Sequence, residues 1–174
     1  MTVRAMPILG AIAGFLALGA CATVSLEEPT ARAVIRPASG SSVSGQLVFV
    51  QTGSMVRIRG ELAGHSPGPK GLHIHEKGDC SARDASSAGG HFNPHRLRHG
   101  ASPVGHHAGD LGNVVFDASG RATVDLRVRG ISVSRSAADG IIGRAVVVHA
   151  QPDDLKTDPT GNAGGRVACG VIAG

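Results

Sequence analysis

The chain contains no tryptophan and no tyrosine, and its phenylalanines number only 4. A core made from it must be filled by Val, Ile, Leu and Ala. No segment carries an apolar stripe of helical period over ten residues, which argues against a helical bundle. Long apolar runs are also missing. The longest, Pro7 to Ala20, is shorter than the roughly 20 residues a membrane-spanning helix needs. Lysine is scarce and the formal charge is +4. The arginines are scattered, with no basic run and no interleaved aromatics, so no nucleic-acid partner is expected. A modest positive field would favour a small anionic substrate. Cysteine is limited to 3 residues.

What is present in quantity is glycine, 26 residues of 174. That length suits one domain with a real core. From Ala33 onward the sequence reads as short strands, at 33–37, 45–51, 54–63, 71–76, 112–117, 121–128, 142–149 and 166–172. Met55-Val-Arg-Ile-Arg and Ala122-Thr-Val-Asp-Leu-Arg-Val alternate with period two. Gln51-Thr-Gly, Asp117-Ala-Ser-Gly and Ala138-Asp-Gly punctuate them as turns. The expected architecture is all-β, an eight-stranded antiparallel Greek-key barrel or sandwich. The connection from Lys77 to Leu111 exceeds ordinary loop lengths, which marks it as functional.

The first twenty residues, with Arg4 ahead of a short apolar segment, read as a secretory signal peptide (1–20). The segment ends in Leu18-Gly19-Ala20-Cys21, which resembles a bacterial lipobox and places a lipid on Cys21. Residues 21–32 then read as a lipidated N-terminus and tether, leaving 33–174 as the folded domain. Lipidation of Cys21 leaves Cys80 and Cys169 as an even pair in an oxidising compartment, where a disulfide is expected. Free thiols acting as metal ligands are the alternative, but neither cysteine sits in a CxxC or CxxH pair.

The chemistry is concentrated in histidines. His73 and His75 sit two apart in a strand-like stretch, so both imidazoles leave the same face. His91, His99, His107 and Asp110 follow on the Gly/Pro/Ser-rich loop. His149 ends the apolar run Ala145-Val-Val-Val-His. Ligand types scattered over strands and a loop need a folded scaffold to converge, and their number suits two metals sharing one ligand.

Five stretches carry a resemblance. They are Gly71-Leu-His-Ile-His-Glu-Lys-Gly-Asp-Cys80, Gly89-Gly-His-Phe-Asn-Pro94, His107-Ala-Gly-Asp-Leu-Gly-Asn113, Gly143-Arg-Ala-Val-Val-Val-His149 and Gly161-Asn-Ala-Gly-Gly-Arg-Val-Ala-Cys-Gly170. In order and content the chain resembles the bacterial copper/zinc superoxide dismutases over residues 33–174. The resemblance implies one copper and one zinc ion per chain. Copper would be held by His73, His75, His91 and His149, and zinc by His91, His99, His107 and Asp110, with His91 shared. Imidazoles suit a copper that cycles between two oxidation states. Three imidazoles and a carboxylate close a tetrahedral, structural zinc site.

The same resemblance assigns Asp153, with Asp154 as fallback, to orienting His73 and His99. Arg166 would hold the superoxide anion beside copper. Thr160 would line the other side of the channel, and His91 would carry a proton. The implied reaction turns two superoxide anions and two protons into dioxygen and hydrogen peroxide. His65, His95 and His106 have no place in this set and read as exposed loop residues, although His106 could exchange with its neighbour His107.

The stretch between His149 and Arg166 is short, as in bacterial members, which leaves the source of substrate steering open. The expected setting is the bacterial periplasm, protecting the envelope. Ala22 lacks the aspartate associated with inner-membrane retention, which favours the outer membrane. A homodimer is compatible with the sequence. Two rival readings are a metal buffer without turnover, which needs neither Arg166 nor Thr160, and a structural sandwich that has lost its metals.

Overall fold

Alternating apolar residues form one face of each strand, and here they build eight strands: β1 (Thr30–Pro37), β2 (Ser44–Thr52), β3 (Met55–Ala63), β4 (Gly68–His75), β5 (Asp110–Phe116), β6 (Arg121–Val128), β7 (Ala145–His149) and β8 (Arg166–Ala173). The computed structural model describes residues 1–2, 28–101 and 105–174. The signal peptide, Cys21 and tether residues 22–27 therefore lie outside or almost wholly outside the described residues.

Every neighbouring pair is antiparallel, in the order β5-β4-β7-β8-β1-β2-β3-β6. β3 pairs with β6 although β4 and β5 intervene in sequence, which is the Greek-key crossover. The outermost strands, β5 and β6, follow one another across a tight turn. There the Asp117 N–H donates to the Arg121 carbonyl at 2.8 Å. The barrel is thus nearly closed, and the expected all-β class holds.

Strand boundaries differ in instructive places. β1 starts at Thr30 rather than 33, because Thr30, Ala31 and Arg32 pair with Val50, Phe49 and Val48 of β2. The expected tether 22–32 therefore overlaps the barrel. β7 begins at Ala145 rather than 142, since Gly143 takes φ +88 in the preceding turn. Between β2 and β3, Thr52 pairs with Met55. Gly53, at φ +57, takes the left-handed turn position where a side chain is disfavoured.

The interior contains the aliphatic residues that the missing aromatics demanded, with Leu47, Ile58, Leu62 and Ile172 buried around Phe49 and Phe116. β4 and β7 are buried on both faces. Leu72, Ile74, Val146 and Val148 point into the barrel. On their other side Ala145 and Val147 join Ala38, Ala85, Ala88 and Cys169 in a smaller apolar cluster beneath the long loop. Among its described residues that loop, 76–109, has one short 3-10 turn, at Ser86–Ala88. It is tied down by a Cys80–Cys169 disulfide, so these two cysteines are not thiol ligands.

Candidate metal centre

The pleat of β4 sends His73 and His75 outward while Leu72 and Ile74 enter the core. The ladder to β5 shifts register between Gly71 and His73, and places His73 opposite Asp110, the first residue of β5. β7 ends at His149, where a second register shift pairs it with Arg166. His91 reaches the site as an isolated antiparallel bridge partner of His75. His99 and His107 arrive on the long loop. Two irregular ladders and one pinned loop thus bring the scattered side chains together.

They form two groups. His73, His75, His91 and His149 make one, and His91, His99, His107 and Asp110 make the other. Within each group the potential ligand atoms lie within 4.8 Å of one another, and every member is buried. His91 belongs to both.

The hydrogen bonds decide which nitrogen each ring has left for a metal. His75 Nδ1 donates to the Gly89 carbonyl at 2.9 Å, and His149 Nδ1 donates to the Gly164 carbonyl at 3.2 Å. Their Nε2 atoms are left 3.4 Å apart. His73 and His99 use Nε2 to donate to Asp153, at 2.8 and 2.9 Å. Their Nδ1 atoms have no hydrogen-bond partner, and the same holds for His91 Nε2 and His107 Nδ1. Buried polar atoms are normally paired, so four orphaned nitrogens converging in one place fit metal ligands. In the second group, Asp110 Oδ1 lies 2.8 Å from His91 Nδ1 and 3.3 Å from His107 Nδ1. Its Oδ2 lies 3.1 Å from His99 Nδ1. The residues present fit a copper among four imidazoles and a zinc among three imidazoles and a carboxylate.

Burial disfavours protons on three rings, those of His75, His91 and His149. It pushes His75 down to about 2, His149 to about 3 and His91 to about 4. Neutral imidazoles have lone pairs free to bind metal. Burial pulls the other way on the two carboxylates. Hydrogen bonds from His73 and His99 nevertheless hold Asp153 well below the usual carboxylate range. A hydrogen bond from His91, with electrostatic attraction to His99 and His107, lowers the Asp110 carboxyl from its ordinary value.

Asp153 lies between the two groups with one oxygen on each of His73 and His99. Its backbone is clasped by Asn113, whose Nδ2 donates to the Asp153 carbonyl and whose Oδ1 accepts from the Asp153 N–H, at 2.9 and 2.8 Å. Asp154 instead caps its own turn, accepting from Thr157 and Asn162. Gly161, at φ +61, leaves room for the carboxylate. A Cβ there would fall 1.9 Å from Asp153 Oδ1 and 2.5 Å from His99 Nε2.

Arg166 is half-buried beside the first group, donating to the Ala85 carbonyl at 2.7 Å and to the Gly89 carbonyl at 2.6 Å. Burial draws its pKa below the ordinary value against a raising pull from Asp84, yet a guanidinium remains charged at any working pH. Thr160 is exposed in the turn before Gly161, its carbonyl accepting from Ala163 N–H at 3.3 Å.

Of the spare histidines, His95 is exposed. His65 is not: it is half-buried against Phe116, ring centroids 5.0 Å apart. It also meets the His149 carbonyl through Nε2 at 3.1 Å. The expectation of an exposed loop residue is corrected there, because the Gly64–Pro67 segment folds back over the end of β7. His106 is also half-buried rather than exposed. Its Nδ1 donates to the His107 carbonyl at 2.8 Å, while His107 occupies the metal group.

Several supporting residues had no sequence signal of their own. Lys70 is buried with Nζ donating to the Ala150 carbonyl at 3.3 Å. Asp158 accepts from the His99 N–H at 2.8 Å. Asn113 lay within a recognised stretch, but nothing there indicated that it would clasp Asp153.

Comparison with known proteins agrees with this geometry. The sequence profile of "Copper/zinc superoxide dismutase (SODC)" matches residues 43–172. The chain is 42% identical over 168 residues to "Extracellular superoxide dismutase [Cu-Zn]" of Caenorhabditis elegans, covering 90% of this chain and 75% of that protein. It is 43% identical over 135 residues to the protein of the same description from Haemonchus contortus, covering 74% of this chain and 72% of that one. A solved structure, "Crystal Structure Analysis of the clock protein EA4", superposes with a TM-score of 0.75 at 41% identity, covering 94% of this chain and 99% of that one. These two curated relatives are described as extracellular proteins, and neither is described as a bacterial lipoprotein. A matched profile across most of the barrel and relatives above 40% identity establish that the chain belongs to the copper/zinc superoxide dismutase family.

Proposed function

We propose that the protein is an exported superoxide dismutase that converts superoxide to dioxygen and hydrogen peroxide. The observation that carries this is the shared residue His91, which offers one nitrogen to each of two converging donor groups. A bound copper supplies one-electron oxidation and reduction, and a bound zinc supplies a fixed structural charge. His73, His75, His91 and His149 are the copper residues, and His91, His99, His107 and Asp110 the zinc residues.

The chain's own groups have separate tasks. Arg166 presents a permanent positive charge beside the His75–His149 side of the site and holds the small anion there. Its guanidinium is prealigned by the Ala85 and Gly89 carbonyls, so little ordering is needed when substrate arrives. His91 Nε2 is the proton-carrying atom, since Nδ1 is engaged on the Asp110 side. Asp153 keeps His73 and His99 in the tautomer that leaves Nδ1 free. Thr160 lines the rim of the approach. Turnover by the purified chain, with copper and zinc quantified in the same sample, tests this. Activity that tracks copper supports the enzyme, and full occupancy without turnover makes it a metal buffer.

The finer setting belongs to the same proposal. Leu18-Gly19-Ala20-Cys21 supports cleavage after residue 20 and a lipid on Cys21, and the short span from His149 to Arg166 supports a bacterial, periplasmic member held at the outer membrane. The folded domain would then follow a tether that starts at Cys21. A homodimer is compatible with this reading, and sedimentation of the purified chain decides between monomer and dimer.

A further inference from the structure

The arginines that look scattered in the sequence are gathered by strand alternation onto one surface. β1, β2, β3 and β6 are neighbours, and together they carry Arg32, Arg36, Arg57, Arg59, Arg121 and Arg127, with no lysine. All six side chains occupy the outward positions of the pleat, opposite the buried Ala33, Ile35, Val56, Ile58, Ala122 and Val124. The register aligns them in rows across the sheet. Arg32 faces Val48, Val48 faces Arg59, and Arg59 faces Asp125. One row along, Val50 faces Arg57, which faces Arg127.

The only acids on these four strands are Glu61 and Asp125. Each is taken by one arginine, Asp125 by Arg57 at 2.7 Å and Glu61 by Arg121 at 2.8 Å. Arg32, Arg36, Arg59 and Arg127 remain, exposed and without a carboxylate partner among the described residues. The metal groups lie elsewhere, outside β4 and β7 and under the long loop.

We infer that this face docks the domain on an anionic phospholipid bilayer, with the four unpartnered arginines on headgroup phosphates. Guanidinium forks match phosphate oxygens in pairs. A sheet face is broad enough to lie along a surface, and Val34, 53% exposed between Arg32 and Arg36, adds an apolar contact. A second copy of the chain would bring like charges together, and the face has no aromatic residue on which a nucleic-acid base could stack. Chain length also favours a bilayer. β1 begins at Thr30 on this face, and the segment from Cys21 to Pro29 spans at most about 30 Å when extended. Only this choice of partner rests on the proposed anchor. His73, His75 and His149 of the copper group are carried by β4 and β7, which are not among these four strands.

The test uses residues 22–174, which contain all eight strands and the whole core but not Cys21, so a failure of docking and a failure of lipidation are read separately. The chain is sedimented with vesicles of phosphatidylcholine alone and of phosphatidylcholine mixed with phosphatidylglycerol. Binding is expected to the mixed vesicles only, and to be lost at high salt as the screening length shortens from about 10 Å at 0.1 M to about 3 Å at 1 M. The doubly substituted Arg32→Gln, Arg59→Gln chain is expected to bind roughly 25-fold more weakly, each arginine contributing about fivefold. Arg98→Gln with Arg135→Gln, which removes the same charge from exposed loop positions, is expected to keep most of the binding. No binding to mixed vesicles overturns the inference. Equal loss in the two double variants also overturns it, since bulk charge and not this face would be responsible, and so does binding to duplex DNA without binding to vesicles.

Discussion

His75 and Arg166 meet at a single acceptor, the carbonyl of Gly89, which receives His75 Nδ1–H at 2.9 Å and Arg166 Nη2–H at 2.6 Å. A residue of the candidate metal site and the cation proposed to hold the substrate anion are thus positioned by the same atom. The 76–109 loop that supplies this atom is bonded to β8 through Cys80 and Cys169. The placement of the Arg166 guanidinium therefore depends on how firmly the loop is held.

Replacing Arg166 by alanine should lower superoxide turnover roughly a hundredfold, the usual cost of removing one prealigned donor. Copper and zinc content should barely change, because His75 keeps its own bond to Gly89. Turnover and metal content measured together check this, and loss of metal in step with activity would show that Arg166 is structural.

Asp153→Asn should loosen both metal groups at once. An amide offers one acceptor oxygen where two N–H groups now donate. Affinity for each metal should fall roughly tenfold to a hundredfold, as read by competition with a chelator. A loss confined to one metal would contradict the shared role.

The metal-free protein should weaken in mild acid. An unfolded imidazole titrates near about 6.5, whereas the folded values are about 4 for His91, about 3 for His149 and about 2 for His75. Below about pH 6.5 the unfolded chain binds protons that the folded chain does not. Stability is therefore complete above that pH and declines as pH falls toward the folded values. Thermal midpoints of the metal-free protein between about pH 7 and about pH 4 give the slope, and a flat series would count against neutral buried rings.

Opening the Cys80–Cys169 bridge, whose partners are 89 residues apart, should release the long loop. Chain entropy sets an upper figure of ~4–5 kcal/mol for such a closure. The Cys80→Ser chain should melt at lower temperature and lose metal faster on mild heating. Unchanged metal release would show that the apolar cluster under the loop suffices alone.

Cys21→Ala should leave the precursor without lipid and shift mature protein from the membrane fraction to the soluble one. Fractionation of cells expressing each form reads this directly. Retention of the variant in the membrane would reject lipidation at Cys21.

Much of the site was legible because metal chemistry dictates residue types at spacings that strands impose, as with His73 and His75 two apart on β4. Asp153 was legible by resemblance to a known family. His65 was not, since its contact with the His149 carbonyl depends on a four-residue fold-back that no local pattern encodes. β1 was shortened in the reading because Thr30-Ala-Arg looks like linker until Val50 and Val48 supply partners. The arginine face was equally invisible. Arg32, Arg59 and Arg127 are distant in sequence, and only the register of three ladders makes them neighbours.

The space beside Gly161 has consequences beyond its turn. It is too narrow for a methyl group, because Asp153 and His99 already fill it. None of the barrel core depends on that space, whereas the link between the two donor groups does. Fold and chemistry are thus separable at a single carbon atom. A lineage that acquired alanine there would keep the barrel core, but the alanine would strain the turn and push apart the contact through which the two donor groups constrain each other.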